Sequence, residues 1–336
     1  MKTLLDNALQ SYSALRFSGL ESRYLTFSDF ESKFDFFTKQ ERLTVNKVGV
    51  SVEGRPIHSI EFGNGKTKIL VWTQMHGNEA TATRAFFDFF SVILNQENEA
   101  LAKYLEQELS ILFIPMLNPD GAEKMQRRNA LDIDPNRDAV KQQSPEIQTL
   151  FNALTRFKPD WCFNMHDQRN LFYVSETEKP ATVSFLSPSE SKAEEPSIAQ
   201  TEAMQLIARL ADCIAETNDI GIARFSHEFY PTATGDNIQK MGYRTVLVES
   251  GGYLNDPHRM VARKIVFETY LHSFLLIASN KWQEGNKEDY LNMPMNDTKL
   301  FDVLIKDVTI NESPKIVVDI GLELEETRTT DGVLER

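Results

Sequence analysis

The chain has 336 residues, of which 41% are hydrophobic and 25% are charged, and its formal net charge at pH 7 is -13. These values are typical of a soluble globular protein with one large α/β domain, or a large domain and a small appendage. The negative charge excludes nucleic-acid binding through a basic surface, because no stretch of Lys and Arg would neutralise phosphates.

Neither a targeting signal nor a membrane span is predicted. The first seven residues include Asp6 and have no continuous apolar core, which argues against a signal peptide. No apolar run approaches the length needed to cross a bilayer. Cys162 and Cys213 lie far apart without metal-ligand spacing, so we expect a cytoplasmic protein with two buried, unpaired thiols.

The chain divides into three predicted parts. Residues 1–42 are predicted to form helical segments that pack on the main domain through the aromatic residues Phe30, Phe34, Phe36 and Phe37. Residues 43–283 form the main domain. Residues 284–336 begin as a polar linker and then alternate in β fashion over 301–324, which predicts a small β appendage. This appendage is either a hairpin packed on the main domain or part of a larger β module.

The main domain alternates strands and helices. Residues 48–62 predict a β-hairpin around Glu53-Gly54-Arg55-Pro56. Later segments predict strands at 68–72, 109–115, 161–164 and 245–248, and helices at 79–94, 145–157, 197–217 and 261–278. This order predicts an α/β fold: a three-layer α/β/α sandwich around a mixed, mostly parallel twisted sheet, with a small C-terminal β segment. The Ser- and Glu-rich residues 188–196 predict a surface loop.

The first motif that indicates chemistry is His76-Gly77-Asn78-Glu79, directly after the apolar residues 69–72. An imidazole and a carboxylate three residues apart can converge on one cation, and a turn after a buried strand exposes both to a cleft. Catalytic zinc takes nitrogen and oxygen ligands of this kind, and it needs a third protein ligand and one open position. By itself, the pattern is equally typical of a solvated or structural pair.

A second group of residues follows the predicted strand 109–115. Asn118-Pro119-Asp120-Gly121 by itself predicts a turn. Six residues later, a Pro- and Asn-rich loop carries Arg127, Arg128 and Arg137. Three arginines in so acidic a protein indicate an anion site, because a guanidinium stays charged and binds carboxylates through two parallel hydrogen bonds.

Together these motifs resemble the zinc metallocarboxypeptidase family of carboxypeptidase A type. The resemblance rests on His-Gly-Asn-Glu, Asn-Pro-Asp-Gly, and Arg-x-Asn-Ala ahead of Asp-x-Asn-Arg. Residues 49–57 are also similar to a hairpin of that family. The resemblance covers about residues 45–280 and is strongest with the short bacterial branch that includes the murein peptide amidases.

The resemblance implies one zinc ion per chain, bound by His76, Glu79 and His166. It also implies that Asp134 accepts a hydrogen bond from the first zinc-ligand histidine and orients its ring. Without the resemblance, a single histidine after a buried strand is more often structural, and Asp134 would be a turn residue.

The catalytic positions are carried over in the same way. Glu249, at the end of the predicted strand 245–248, matches the general base; a buried strand end is costly for a carboxylate unless it lines a polar cleft. Arg127 matches the arginine that stabilises the oxyanion, and Arg128 is the alternative within the doublet. Tyr230 matches the mobile active-site tyrosine.

Substrate binding is implied for Asn136 and Arg137, which match the pair that holds a substrate carboxylate. Asn237, seven residues after Tyr230, matches the floor of the specificity pocket. A polar Asn beside Asp236 favours a polar or cationic substrate end, such as a basic residue or a diaminopimelate-like group, over a bulky apolar end.

The sequence therefore predicts a zinc-dependent hydrolase that cleaves an amide bond next to a free carboxylate, either a metallocarboxypeptidase or a peptidoglycan-peptide amidase. Its partner would be a peptide or small amide substrate, without nucleic acid or membrane, and the oligomeric state stays open. The first alternative is an N-acyl amino acid deacylase of the succinylglutamate desuccinylase or aspartoacylase type, a group that often carries a C-terminal β domain. The second is an inactive, peptide-binding pseudoenzyme.

Overall fold

The computed structural model describes residues 2–192, 195–226, 228–324, 327–328 and 334–335. The α-helices within these residues are α1 (Lys2–Leu15), α2 (Phe27–Thr38), α3 (Thr81–Ile93), α4 (Glu99–Glu108), α5 (Pro119–Glu123), α6 (Pro145–Phe157), α7 (Ile198–Ala215), α8 (Thr234–Lys240), α9 (Met260–Ala278) and α10 (Lys287–Asn292). Short 3-10 helices occupy Gln96–Asn98, Pro135–Arg137 and Lys281–Glu284.

The β-strands of the described chain are β1 (Leu43–Val50), β2 (Pro56–Phe62), β3 (Thr67–Trp72), β4 (Leu109–Ile114), β5 (Trp161–Asp167), β6 (Phe172–Val174), β7 (Ala181–Leu186), β8 (Gly221–Arg224), β9 (Arg244–Ser250), β10 (Asn296–Thr298), β11 (Val303–Glu312), β12 (Lys315–Leu322), β13 (Thr327–Arg328) and β14 (Leu334–Glu335). Eight of them form one sheet in the order β1-β2-β4-β3-β5-β9-β7-β8.

The central strands of this sheet, β4, β3, β5 and β9, run parallel to one another. The β1–β2 hairpin joins antiparallel to β4, and β7 is antiparallel to β9. One apolar core lies between the sheet and α3, α7 and α9, and a second lies between the opposite face and α6. The predicted α/β/α sandwich around a mixed, mostly parallel sheet is therefore confirmed.

The apolar run of β3 shows why the sheet has helices on both sides. Ile69 and Val71 belong to the first core, whereas Leu70 and Trp72 belong to the second. All four are fully buried. Because successive side chains of a strand point to opposite faces, a continuous apolar run is the pattern of a strand covered on both sides.

Within residues 43–283, three strands were not predicted by the sequence patterns: β6, β7 and β8. β7 lies between β9 and β8 in the sheet, and its residues are all buried. These buried residues include Thr182 and Ser184, which are 1% and 0% exposed. Polar residues inside a covered strand interrupt the apolar run that marks such strands in a sequence.

The N-terminal helices are held to the main domain by buried polar contacts as well as aromatic packing. Asp88 on α3 accepts a hydrogen bond from the Tyr12 hydroxyl of α1 (3.1 Å) and forms a 2.5 Å ion pair with Arg263 of α9. Phe30, Phe34 and Phe37 of α2 are buried, and Phe36 is partly buried against the same core.

In the C-terminal part, the predicted linker contains a helix, and the predicted β appendage is a hairpin with exposed side chains. Residues 287–292 form α10, whose Tyr290 is fully buried. β11 and β12 pair as the expected hairpin, but their aliphatic side chains face outwards, with Ile305 45% and Leu322 42% exposed. A 2.9 Å ion pair between Arg169 and Glu323 joins the end of the hairpin to the main domain.

Two further expectations concern the whole chain. Cys162 and Cys213 are free and buried, as predicted. Of the helices in the described residues, none combines the length and the apolar composition that a bilayer span requires.

Candidate metal centre and active-site cleft

Three possible metal ligands meet at the C-terminal edge of the sheet. His76 follows β3, Glu79 lies two residues before the start of α3, and His166 lies near the end of β5. β3 and β5 are adjacent parallel strands, so residues at their C-terminal ends lie side by side. The three residues are buried, with exposed fractions of 1%, 8% and 2%.

The ligand atoms of these residues point at one another. His76 Nδ1 lies 2.8 Å from Glu79 Oε1, His166 Nδ1 lies 2.8 Å from Glu79 Oε2, and the two Nδ1 atoms are 3.2 Å apart. Two imidazole nitrogens this close repel each other through their lone pairs unless a proton or a cation lies between them. A pair of nitrogen donors and one carboxylate, with a cleft on the open side, is a ligand set that fits catalytic zinc.

Asp134 orients the first of these histidines. Its Oδ1 lies 3.1 Å from His76 Nε2, and its Oδ2 accepts a 3.0 Å hydrogen bond from Arg127 Nε. A carboxylate at Nε2 places the ring proton there and leaves Nδ1 free to bind a cation. Burial alone would raise the pKa of Asp134, but the hydrogen bond and charge of His76 and the charge of Arg127 hold it well below its ordinary value.

The loops that carry these residues pack directly on one another. A side chain at Gly77 would meet the backbone carbon of Gly121 at 1.9 Å, so this close approach requires glycine. Asn118 caps α5 by accepting the Gly121 N–H (2.9 Å), and its amide donates to the carbonyl of Met75 (3.2 Å). The Asn-Pro-Asp-Gly motif is therefore a scaffold that positions the His-Gly-Asn-Glu turn.

The two arginines of the doublet point in different directions. Arg127 Nη1 lies 3.1 Å from His76 Nδ1 and 3.3 Å from Glu79 Oε1, facing the candidate metal position. Arg128 instead donates to the carbonyl of Asp132 (2.7 Å), its side chain is 53% exposed, and it is not among the described residues that line the cleft. The two arginines of the doublet are thus distinguished by their orientation, and Arg127 is the one that faces the site.

A cleft of about 500 Å³ opens above the metal ligands. Asn136, Arg137 and Tyr230 line it, and the Arg137 guanidinium lies 4.3 Å from the centre of the Tyr230 ring. Asn136 Oδ1 accepts the backbone N–H of Thr234 (2.9 Å), which ties the arginine-bearing loop to α8. These three predicted residues are therefore brought together at one end of the cleft.

Glu249 lies beside the metal ligands on the neighbouring strand. In the parallel pairing of β5 and β9 it is directly opposite His166. The residue is also part of the cleft lining. Burial, followed by the negative charges of Glu79 and Asp167, raises the pKa of Glu249 well above its ordinary value.

The expected role of Asn237 as a pocket floor is corrected by the structure. Its amide donates to the carbonyls of Pro231 (3.0 Å) and Ala233 (2.7 Å), and the residue is absent from the described cleft lining. The neighbouring Asp236 lines the cleft instead, because α8 begins at Thr234 and turns that position inwards. Burial raises the pKa of Asp236 to about 6.

Several residues of the cleft were not predicted from the sequence. Asp167, next to His166, accepts hydrogen bonds from the N–H and hydroxyl of Thr81, and Arg259 lies 3.5 Å from its carboxylate. Arg23 of the N-terminal segment also lines the cleft. The sequence contains no local pattern that marks Arg23, since the loop between α1 and α2 reaches the site only through tertiary contacts. His227, three residues before Tyr230 in the sequence, lies outside the described residues.

Comparisons with known proteins identify the family of the chain. A model of the zinc carboxypeptidase family matches residues 36–237. Probable carboxypeptidase 2 of Arthroderma benhamiae is 37% identical over 105 residues, which are 30% of this chain and 19% of that protein. The chain therefore aligns with less than a fifth of that relative.

Solved structures show the same fold. The bovine thrombin-activatable fibrinolysis inhibitor, in complex with tick carboxypeptidase inhibitor, superposes with a TM-score of 0.60 at 15% identity, covering 78% of this chain and 100% of that one. A metallo-carboxypeptidase from Pseudomonas aeruginosa also gives a TM-score of 0.60, at 14% identity and with 76% and 70% of the two chains covered. Because the family model spans more than half of the 336 residues, the chain belongs to the zinc carboxypeptidase family.

Proposed function

We propose that the chain is a zinc-dependent hydrolase that cleaves an amide bond next to a free carboxylate. The observation that carries this proposal is the meeting of His76, Glu79 and His166 with the carboxylate of Glu249 at one sheet edge. When bound, zinc polarises a carbonyl group and acidifies a water molecule.

Glu249 is the proposed general base. It lies opposite His166 in the sheet and lines the same cleft as the metal ligands. A carboxylate in this place takes a proton from the attacking water and delivers it to the nitrogen that leaves. Burial, followed by the negative charges of Glu79 and Asp167, raises the pKa of Glu249 and so strengthens its hold on the proton.

Arg127 is the proposed oxyanion-stabilising residue. Its Nη1 faces the same point as His76 Nδ1 and Glu79 Oε1, and its Nε is held by Asp134. A guanidinium fixed in this way is aimed at the carbonyl oxygen before the reaction begins, so it stabilises the charge that develops there without reorganising.

The substrate carboxylate is proposed to bind Arg137, with Asn136 and Tyr230 beside it. Arg137 stacks on Tyr230, and Asn136 is fixed by its hydrogen bond with Thr234. Asp236 replaces Asn237 as the polar residue that faces the terminal side chain, so the proposed preference for a polar or cationic end now rests on Asp236.

The metal part of this proposal is tested by replacing His166 with Ala. Loss of one nitrogen ligand is expected to abolish zinc retention, measured by elemental mass spectrometry after gel filtration, while circular dichroism stays close to that of the parent. His258→Ala, at an exposed histidine, is the control and is expected to retain zinc. Full zinc retention by the His166 variant would remove this residue from the ligand set.

The substrate class is tested with the zinc-loaded protein and mass-spectrometric detection of products. One peptide series ends in Phe, Lys, diaminopimelate or a C-terminal amide, and N-acyl amino acids form a separate arm. We expect the acids to be cleaved and the amide to be poor, because a neutral amide loses a charge-assisted pair with Arg137 that contributes about 1.5–3 kcal/mol. Equal cleavage of acid and amide would contradict the carboxylate clamp, and cleavage of N-acyl amino acids alone would favour the deacylase alternative.

A further inference from the structure

The N-terminal segment supplies one wall of the cleft. Arg23 and Tyr24, in the loop between α1 and α2, are half-buried and line the same cleft as the metal ligands. They lie before residue 36, where the match to the zinc carboxypeptidase family begins. This wall is therefore formed by residues outside the matched segment, and the proposed function assigns it no role.

The backbone on both sides of Arg23 is fixed by buried donors from the main domain. Arg84, fully buried in α3, donates to the carbonyl of Ser22 (2.7 Å). Gln74, two residues before the first metal ligand, donates to the carbonyl of Leu25 (2.9 Å). The loop tip is thus tied directly to the residues that carry the candidate metal centre.

A third buried donor holds the start of the loop. Arg263 donates to the carbonyls of Leu20 (2.5 Å) and Phe17 (2.9 Å), while Asp88 balances its charge. Burying an arginine is costly unless its hydrogen bonds are satisfied, so this arrangement favours one fixed loop position over a mobile one. The Arg23 side chain is consequently presented to the cleft from a rigid support.

Arg23 lies near a different part of the cleft from the proposed carboxylate clamp. Arg84 donates both to the carbonyl of Ser22 (2.7 Å) and to that of His258 (3.0 Å), so the loop that carries Arg23 lies next to Arg259, whose guanidinium is 3.5 Å from Asp167. The clamp residue Arg137 instead contacts Tyr230 at the start of the α8 region. A substrate that binds Arg137 through its terminal carboxylate would place its scissile amide at the metal ligands. The acyl part, on the other side of that amide, would then extend towards Arg23.

We infer that Arg23 binds a carboxylate on the acyl side of the scissile amide, so that the preferred substrates carry acidic groups on both sides of the bond. This inference rests on the proposed hydrolase function. A guanidinium suits the task because it binds a carboxylate through two parallel hydrogen bonds. The acyl-side carboxylate has two chemical sources: the side chain of an α-linked acidic residue, or the α-carboxylate of a γ-linked glutamate.

The test compares matched substrates that differ in this one charge. Acetyl-Ala-Glu-Lys is paired with acetyl-Ala-Gln-Lys, and γ-glutamyl-Lys is paired with its glutamate α-amide. For each pair, the ratio of kcat/KM for the acid to that for the neutral peptide is measured with the zinc-loaded parent, Arg23→Gln and Arg23→Lys. Arg16→Gln, at an exposed arginine of the same N-terminal segment, is the control.

We expect the parent to prefer the acid of at least one pair by about 10- to 100-fold, the range of one charge-assisted hydrogen bond. Arg23→Gln is expected to abolish this preference, Arg23→Lys to retain part of it, and Arg16→Gln to leave it unchanged. The pair that shows the effect identifies the source of the carboxylate. A parent ratio near one in both pairs, or a ratio that survives in Arg23→Gln, would overturn the inference.

A binding measurement separates this inference from the proposed function. The same four peptides are titrated into the Glu249→Gln protein, with and without the additional Arg23→Gln change, by calorimetry. If the protein binds the acids preferentially and the Arg23→Gln change removes this preference, the inference is supported even when the parent hydrolyses none of the peptides. The absence of hydrolysis would then count only against the proposed hydrolase function. Equal binding of acid and neutral peptides would overturn the assignment of Arg23.

Discussion

Glu249 lies beside the metal ligands, in surroundings that disfavour its negative charge. It is opposite His166 in the sheet, and Glu79 and Asp167 add to the negative charge around it. A buried carboxylate in such surroundings holds a proton more strongly than an ordinary one, which is the property required of a general base that must also return the proton.

Glu249→Gln is predicted to keep zinc and substrate binding but to lose turnover by about 10²–10⁴-fold. The amide has the shape of the carboxylate, yet it cannot accept a proton from water. The measurement is kcat together with the peptide dissociation constant and the zinc content. Glu61→Gln, at an exposed position of β2, is the control. Turnover within a few-fold of the parent would remove Glu249 from its proposed role.

The arginine doublet provides a matched pair of substitutions. Arg127 faces the metal ligands, whereas Arg128 donates to a backbone carbonyl at the surface. We predict that Arg127→Gln lowers kcat by about 10²–10³-fold, the usual effect of removing one oxyanion donor. Arg128→Gln should change kcat by less than a few-fold. The reverse order of effects would show that Arg128 is the catalytic member.

At the scale of the elements, the order of strands decides which residues meet. β5 lies between β3 and β9, and all three run parallel, so their C-terminal ends bring His76, His166 and Glu249 to one sheet edge. Ligands in open α/β sheets bind outside the carboxyl ends of the strands, which agrees with this placement. The motifs are far apart in the sequence because each follows a different strand.

Helix α9 contains a buried titratable group away from the cleft. Burial, and to a lesser extent the charge of Arg209, lowers the pKa of His272 to about 4. Between pH 6.5 and 4 the unfolded chain therefore binds a proton at this residue that the folded protein does not. The unfolding free energy accordingly falls as the pH decreases through this window, by about 3 kcal/mol in total.

His272→Leu is predicted to remove this contribution, so that unfolding free energies measured by urea denaturation depend less on pH between 6.5 and 4. The difference from the parent should approach about 3 kcal/mol across the window. The matched control is His258→Gln, at an exposed histidine in the same region of the chain. A variant whose stability falls with pH as steeply as that of the parent would contradict the assignment of this proton to His272.

At the scale of the whole molecule, the N-terminal segment and the main domain form one unit around Asp88 and Arg263. The two side chains are fully buried and 2.5 Å apart. Tyr12 from α1 donates to the same carboxylate, and Arg263 also binds loop carbonyls of the segment. The ion pair therefore lies at the junction of α1, α3 and α9.

Asp88→Asn is predicted to lower the unfolding free energy by about 3 kcal/mol or more, because the charge of Arg263 stays buried without its counter-charge. Denaturant titration followed by circular dichroism measures this change. Asp35→Asn removes an exposed ion pair with Lys39, for which the expected change is below about 1 kcal/mol. Equal effects of the two substitutions would contradict the proposed role of the buried pair.

The sequence by itself was enough for the α/β class and for the family, because both depend on local patterns. The continuous apolar run of β3 and the periodic apolar residues of α7 are visible without tertiary information. His76 and Glu79 are close in the chain, so their convergence follows from one turn. The position of Glu249 after an apolar strand was likewise visible, since a carboxylate there needs a polar surrounding.

Tertiary structure alone decided what depends on packing between distant segments. The sequence could not separate Arg127 from Arg128, because the loop conformation determines which guanidinium turns inwards. Asp236 rather than Asn237 lines the cleft because of where α8 begins. Arg23 reaches the cleft because buried donors such as Arg84 hold a loop that is far from the motifs in the sequence. Such contacts join residues with no fixed spacing along the chain, and for this reason no sequence pattern reveals them.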